Sequence, residues 1–110
     1  MLNKNERTME VYMEAGAYAR LLTDIGTKAA VAMSKVLPAK DVHRLVSLLN
    51  KIDGFKCSAD DQLFMDFPRI GNEGIDVFYG ALGFEPRNEP DREVIRMAQQ
   101  KARELFASEG

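Results

Sequence analysis

The chain has little of what most small functional sites need. In 110 residues it holds one cysteine (Cys57), one histidine (His43) and no tryptophan. An intramolecular disulfide is impossible, and a small secreted scaffold held by several bridges is excluded. A structural zinc site, which needs several Cys or His ligands, is excluded too. Nucleophilic catalysis needs a nucleophile with a base beside it. The two candidates fall on different expected elements, and they read as a helix-surface histidine and a small, half-buried thiol. Long apolar runs are also missing. The stretches without charge are short and Ala-rich, as from Ala29 to Met33, against the roughly 20 residues of a spanning helix. No apolar segment of a secretory signal appears around Met1 to Arg7, so a cytoplasmic protein without membrane association is expected.

A surplus of positive charge is absent as well. Lys and Arg total 15 and Asp and Glu total 17, for a net charge of -2. That removes the usual basic footprint of a nucleic-acid binder. The charge is uneven, with net +2 over residues 1–53 and net -4 over residues 54–110, a mild asymmetry able to steer a partner or a second subunit. The acidic group Asp60, Asp61, Asp66, Glu73 and Asp76 lacks EF-hand spacing and reads as turn and capping residues. Gly71-Asn72-Glu73-Gly74 lacks the Gly-Lys-Ser/Thr ending of a phosphate loop. No catalytic, cofactor-binding or metal-ligating set can be named, so the chain is not expected to be an enzyme or to carry a cofactor.

What is present is apolar content and helical periodicity. Hydrophobic residues make up 45% of the chain, enough to fold, and the length suits one helical domain over 1–110. From Thr8 to Leu37 there is no proline. At 100° per residue Val11, Ala15, Tyr18, Leu22, Ile25, Ala29, Met33 and Val36 share one side, read as the core stripe. Glu10, Arg20, Asp24, Lys28 and Lys35 lie away from it. A continuous helix of that length spans about 45 Å, so one end must project or the helix must break, Gly26 being the break point. Pro38 opens a second helix over Ala39–Asp53, with Val42, Leu45, Val46, Leu49 and Ile52 at helical spacing, Leu45 and Leu49 in the core and Gly54 as left-handed cap. The first two helices then form an antiparallel helical hairpin.

Residues 55 to 67 admit two readings. Leu63, Met65 and Phe67 alternate as in a short strand that can pair with Phe55–Ser58 across Ala59-Asp60-Asp61. The rival is a short helix starting at Ser58, with Asp61 completing a cap. The hairpin is slightly favoured. A third helical stretch begins at Gly71 or Asn72, short because of Gly74, Gly80 and Gly83. A loop from Gly83 to Pro90 leads to a last helix over Asp91–Ala107, with Val94, Ile95, Ala98, Ala102, Leu105 and Phe106 on its core face. The expected fold is mainly α: a four-helix domain with one long N-terminal helix, a helical hairpin and a small β-hairpin near 55–67.

Two functional readings follow. The first is a protein-interaction or regulatory module acting as a homodimer, since a helix of about 30 residues outruns the diameter of so small a domain. Its interface would be the side of helix one away from the stripe, with Met9, Tyr12, Met13, Gly16 and Leu21, since a monomer rarely leaves a large apolar patch in water. The small residues Ala15, Ala19, Gly26, Ala29 and Ala30 would let another helix approach closely. The second is a nucleic-acid-associated accessory protein. Arg92, Arg96, Gln99 and Arg103 line one edge of the last helix and can hold phosphates or base edges; a solvated helix face is the favoured explanation of them.

Overall fold

The Thr8 hydroxyl accepts from the backbone N–H of Val11 at 3.3 Å, and from that cap α1 (Met9–Met33) runs without a break. The computed structural model describes residues 1–83 and 85–107. Position 84 of the expected loop and residues 108–110 lie outside them. A helix of these 25 residues is about 38 Å long, in a molecule whose longest extent is 47 Å. Gly26 does not interrupt it. A side-chain carbon there would come within 2.7 Å of Leu49 Cδ2, so the glycine lets α2 (Ala39–Asn50) lie close against α1.

The second helix is shorter than expected. Lys51 alone separates it from α3 (Ile52–Asp66), and Gly54 sits inside the first turn of α3 rather than capping α2. Positive φ among the described residues is confined to Gly71 and Gly80.

The expected β-hairpin is not there: residues 55–66 are helical, and the described residues contain no strand. Ile52, Lys56, Ala59 and Leu63 recur at helical spacing and are the ones turned inward. Lys56 in that stripe breaks the apolar pattern and hid the helix. The apparent alternation fails at Met65, which is 71% exposed. Ser58 does not cap a helix either; its hydroxyl donates to the Gly54 carbonyl at 3.1 Å, one turn back inside α3.

A 3-10 turn (Gly71–Gly74) leads into the single turn of α4 (Ile75–Phe78), which buries Val77 and Phe78. The last helix, α5 (Glu89–Glu104), starts earlier than expected because Asn88 caps it, accepting from Asp91 N–H at 2.9 Å, with Pro90 in the first turn. It also ends earlier. Leu105 and Phe106, expected on its core face, are exposed.

The core forms where α1, α3, α4 and α5 meet, around Tyr12, Ala17, Leu63, Val77, Phe78, Val94, Met97 and Ala98. Helix α2 contributes no buried residue, and Leu45 and Leu49, expected in the core, are half-buried. The rotation of α1 is the main departure from expectation. Val11, Ala15, Tyr18, Leu22, Ile25, Ala29, Met33 and Val36, read as the core stripe, are all exposed, and the opposite side is buried.

Candidate interaction surface

Helix α1 is apolar on two sides, so hydrophobicity alone does not decide which one turns inward. Two local features do. The first is Gly16. A side chain there would collide with the Val77 carbonyl oxygen and stand 2.8 Å from Val77 Cγ1, so only glycine lets α4 lie on this face.

The second is Arg20, 1% exposed. Its guanidinium donates to the carbonyl oxygens of Gly80 (2.9 Å), Asp76 (2.7 Å) and Ala81 (3.2 Å), and to Asp91 Oδ1 (2.8 Å). Gly80 takes φ +120° here, a conformation other residues rarely adopt. The other oxygen of Asp91 accepts from Arg87 N–H at 2.8 Å, and Asp76 accepts from the side chains of Arg87 and Asn88. A buried guanidinium is tolerable only when its donors are met. The loop after α4 and the start of α5 meet them, which fixes α1 with Arg20 inward.

At the N-terminal end a second cluster does the same. Asp66, at the end of α3, accepts from Arg7 Nε at 2.7 Å, Arg7 Nη2 at 3.1 Å and the Tyr12 hydroxyl. The Arg7 and Tyr12 donors hold the Asp66 carboxyl well below the usual carboxylate range.

With that face committed, the sequence-derived interface residues are accounted for. Tyr12 and Gly16 are buried inside the chain, and Met9, Met13 and Leu21 are half-buried against the same core. They serve intramolecular packing, because α4 and α5 cover the side that was expected to be open. The uncovered side carries Val11, Ala15, Tyr18, Leu22, Ile25 and Ala29. Their spacing alternates four and three residues, the spacing of a coiled-coil seam. Tyr18, Leu22 and Ile25 are each about half exposed.

Beside the seam, α1 and α3 enclose an apolar groove of about 500 Å3, lined by Ala15, Ala19, Leu22, Ile52, Phe55 and Phe78 among others. Phe55, at 78% exposed, stands over it. Under the groove, Lys56 donates to Thr23 Oγ1 at 3.1 Å and its ammonium lies 4.7 Å from the Tyr79 ring centre. Burial pulls the lysine below its ordinary range. On the far flank the Lys101 ammonium sits 5.8 Å from the Tyr18 ring centre. Sequence periodicity found the seam residues but assigned them inward. The signals that could have corrected this are Gly16, Arg20 and Asp24 together on the other side, since glycine and a multidentate arginine mark a close, polar approach.

The arginine edge of α5 is present but occupied. Arg92, Arg96 and Gln99 line a groove with Leu82, Gly83, Glu85, Pro86 and Ile95. Arg92 Nε lies 3.4 Å from Glu89, and Arg96 grips Glu93 with two nitrogens. Arg103 is exposed on the last turn. Among the described residues no three His, Cys, Asp or Glu side chains come together as a metal site, and no helix is long and apolar enough to cross a membrane. Comparison with protein-family models, with curated proteins and with solved structures gives no match.

Proposed function

We propose that the chain is a protein-interaction module that works as a homodimer through the uncovered side of α1. The observation that carries this is the seam from Val11 to Ala29, apolar at every position of a heptad pattern and exposed among the described residues. Contiguous apolar surface of this kind marks an interaction site. A second copy offers the same seam at the same concentration, and two-fold contacts between identical surfaces are the commonest form of small assembly. The exposed Phe55 beside the seam supplies an aromatic side chain of the type enriched in interface centres.

The nucleic-acid reading is less well supported, because Arg92 and Arg96 each face a glutamate of their own helix, which weakens their hold on phosphate. Light scattering or sedimentation of the wild-type chain tests the proposal, and a dimer mass at micromolar concentration is expected. Leu22→Glu with Ile25→Glu should give a folded monomer, since both side chains are half exposed. A monomer mass for the wild type, or a dimer unaffected by the double substitution, defeats it. Retention of the wild type on DNA or heparin at low salt, lost in Arg92→Ala and Arg96→Ala, would instead favour the arginine edge.

A further inference from the structure

We infer that the two copies pair their α1 helices antiparallel, in one register, with Glu14 of each facing Lys28 of the other. This rests on the homodimer reading above and adds its orientation and register.

The seam places Ala15, Leu22 and Ala29 at one core position of the heptad, and Val11, Tyr18 and Ile25 at the other. In an antiparallel pair each position of the first kind meets one of the second kind. Setting Tyr18 against Leu22 of the second copy fixes the remaining layers as Ala15 with Ile25 and Val11 with Ala29. Each layer then joins a small or medium side chain to a larger one, and all six seam residues are used. A shift of one heptad in either direction leaves the outer layers without a partner from the seam.

Charge selects the same arrangement. The residues that flank the seam on one side are Glu14, Leu21 and Lys28. In the register above, the exposed flanking residues of the two copies meet as Glu14 with Lys28, twice by symmetry, and the half-buried Leu21 brings only its uncovered edge to the two-fold axis. Opposite charges at such flanking positions set orientation and partner choice in coiled coils. A parallel dimer instead directs Glu14 towards Ala19 and Lys28 towards Met33, with no charge to meet. One-heptad shifts of the antiparallel pair set Leu21 against Glu14 or against Lys28. Both charged residues are exposed, and neither forms an ion pair among the described residues. The other flank suits close approach, because Ala19 of the two copies meets at the axis there, with the apolar groove and Phe55 alongside.

The test is a charge swap read by the dimer dissociation constant, with a circular-dichroism melt to confirm that each variant folds. Glu14→Lys alone and Lys28→Glu alone should each weaken the dimer about tenfold, through loss of two exposed pairs and gain of two like-charge contacts. The double variant carrying both changes should return to within about threefold of wild type. In a Cys57→Ser background, a mixture of the Glu14→Cys and Lys28→Cys chains should cross-link to each other on oxidation. A wild-type dimer that ignores the single reversals, or chains that cross-link only to their own kind, would overturn the antiparallel register while leaving the homodimer standing. A monomeric wild type would remove the homodimer itself.

Discussion

The two ends of α1 are held in different ways. From Met9 to Asp24 the helix is clamped by α3, α4 and α5, with Tyr12, Gly16, Ala17 and Arg20 buried along it, whereas Gly26 is buried against Leu49 of α2. Beyond Gly26 its partner among the described residues is α2, no residue of which is buried. The first region combines close backbone approach at Gly16 with a fully bonded guanidinium at Arg20. The second is a helical arm in which Leu45 and Leu49 are half-covered and Val31 and Val36 remain exposed. Stability should therefore be concentrated at one end, and local opening should begin at the other. The same division explains how a helix that is apolar on both sides can leave one in water: polar anchors at the clamped end set its rotation.

Removing the anchor should have the largest effect. Arg20→Met deletes every bond to Asp91 and to the Gly80, Asp76 and Ala81 carbonyls while keeping apolar bulk. It leaves a buried carboxylate without its cation, which typically costs about 3–5 kcal/mol. Chemical denaturation should show a fall of that order. Removing Asp91 as well, in Arg20→Met with Asp91→Asn, should recover part of it. A change below about 1 kcal/mol for the single variant would show that α1 is oriented by apolar packing alone.

A matched pair of glycine substitutions sharpens the comparison. Gly16→Ala drives a carbon into the Val77 backbone carbonyl, which cannot move without shifting α4. Overpacking of this kind costs about 1–3 kcal/mol. Gly26→Ala meets only the tip of the Leu49 side chain, which can rotate away, and gains up to about 1 kcal/mol in helix propensity. Thermal melts should thus show a clear loss for the first and little change for the second. Equal losses would mean that the arm is packed as tightly as the clamped end.

The helical architecture, the long first helix and the buried residues Val94, Ile95 and Ala98 of the last one were legible in the sequence, because periodicity at 3.6 residues is a local property. The rotation of α1 was not. Its two apolar sides differ little in hydrophobicity, and the deciding contacts join residues about 60 positions apart, as Arg20 does with Gly80. Arg20 read as a surface charge because a single buried arginine looks the same in sequence as an exposed one. Lys56 misled the reading of residues 55–66 in the same way. The candidate surface was legible as a set of residues and illegible as a surface, since exposure depends on which side the distant loop claims.

Smaller effects are expected from the arm. Leu45→Ala and Leu49→Ala each remove a half-covered side chain, and the cost should be about 1–2 kcal/mol rather than the 2–5 kcal/mol of a fully buried leucine. Hydrogen exchange should show the amides of α2 opening more readily than those of α5 in the wild type, and more readily still in these variants. A loss above about 3 kcal/mol for either would place α2 in the core and dissolve the distinction between the two ends.

The acid limb of stability offers the mildest probe of the same contrast. Asp66 ties Arg7 and Tyr12 to the end of α3, and those donors hold its carboxyl below the ordinary carboxylate value. A group depressed in the folded state contributes stability that is fully present above its unfolded value, near 4, and is lost as pH falls through the folded one. The clamped end should therefore lose part of its hold progressively below about pH 4, and Asp66→Asn should flatten that dependence while lowering stability at neutral pH. Asp41 makes only an exposed contact with Arg44 at 3.7 Å in the arm, so Asp41→Asn should leave the acid limb as it is. Melts across pH 2.5 to 7 on the three proteins would check this. An unchanged acid limb in Asp66→Asn, or an equal flattening in Asp41→Asn, would show that acid does not act through the Arg7–Asp66–Tyr12 cluster.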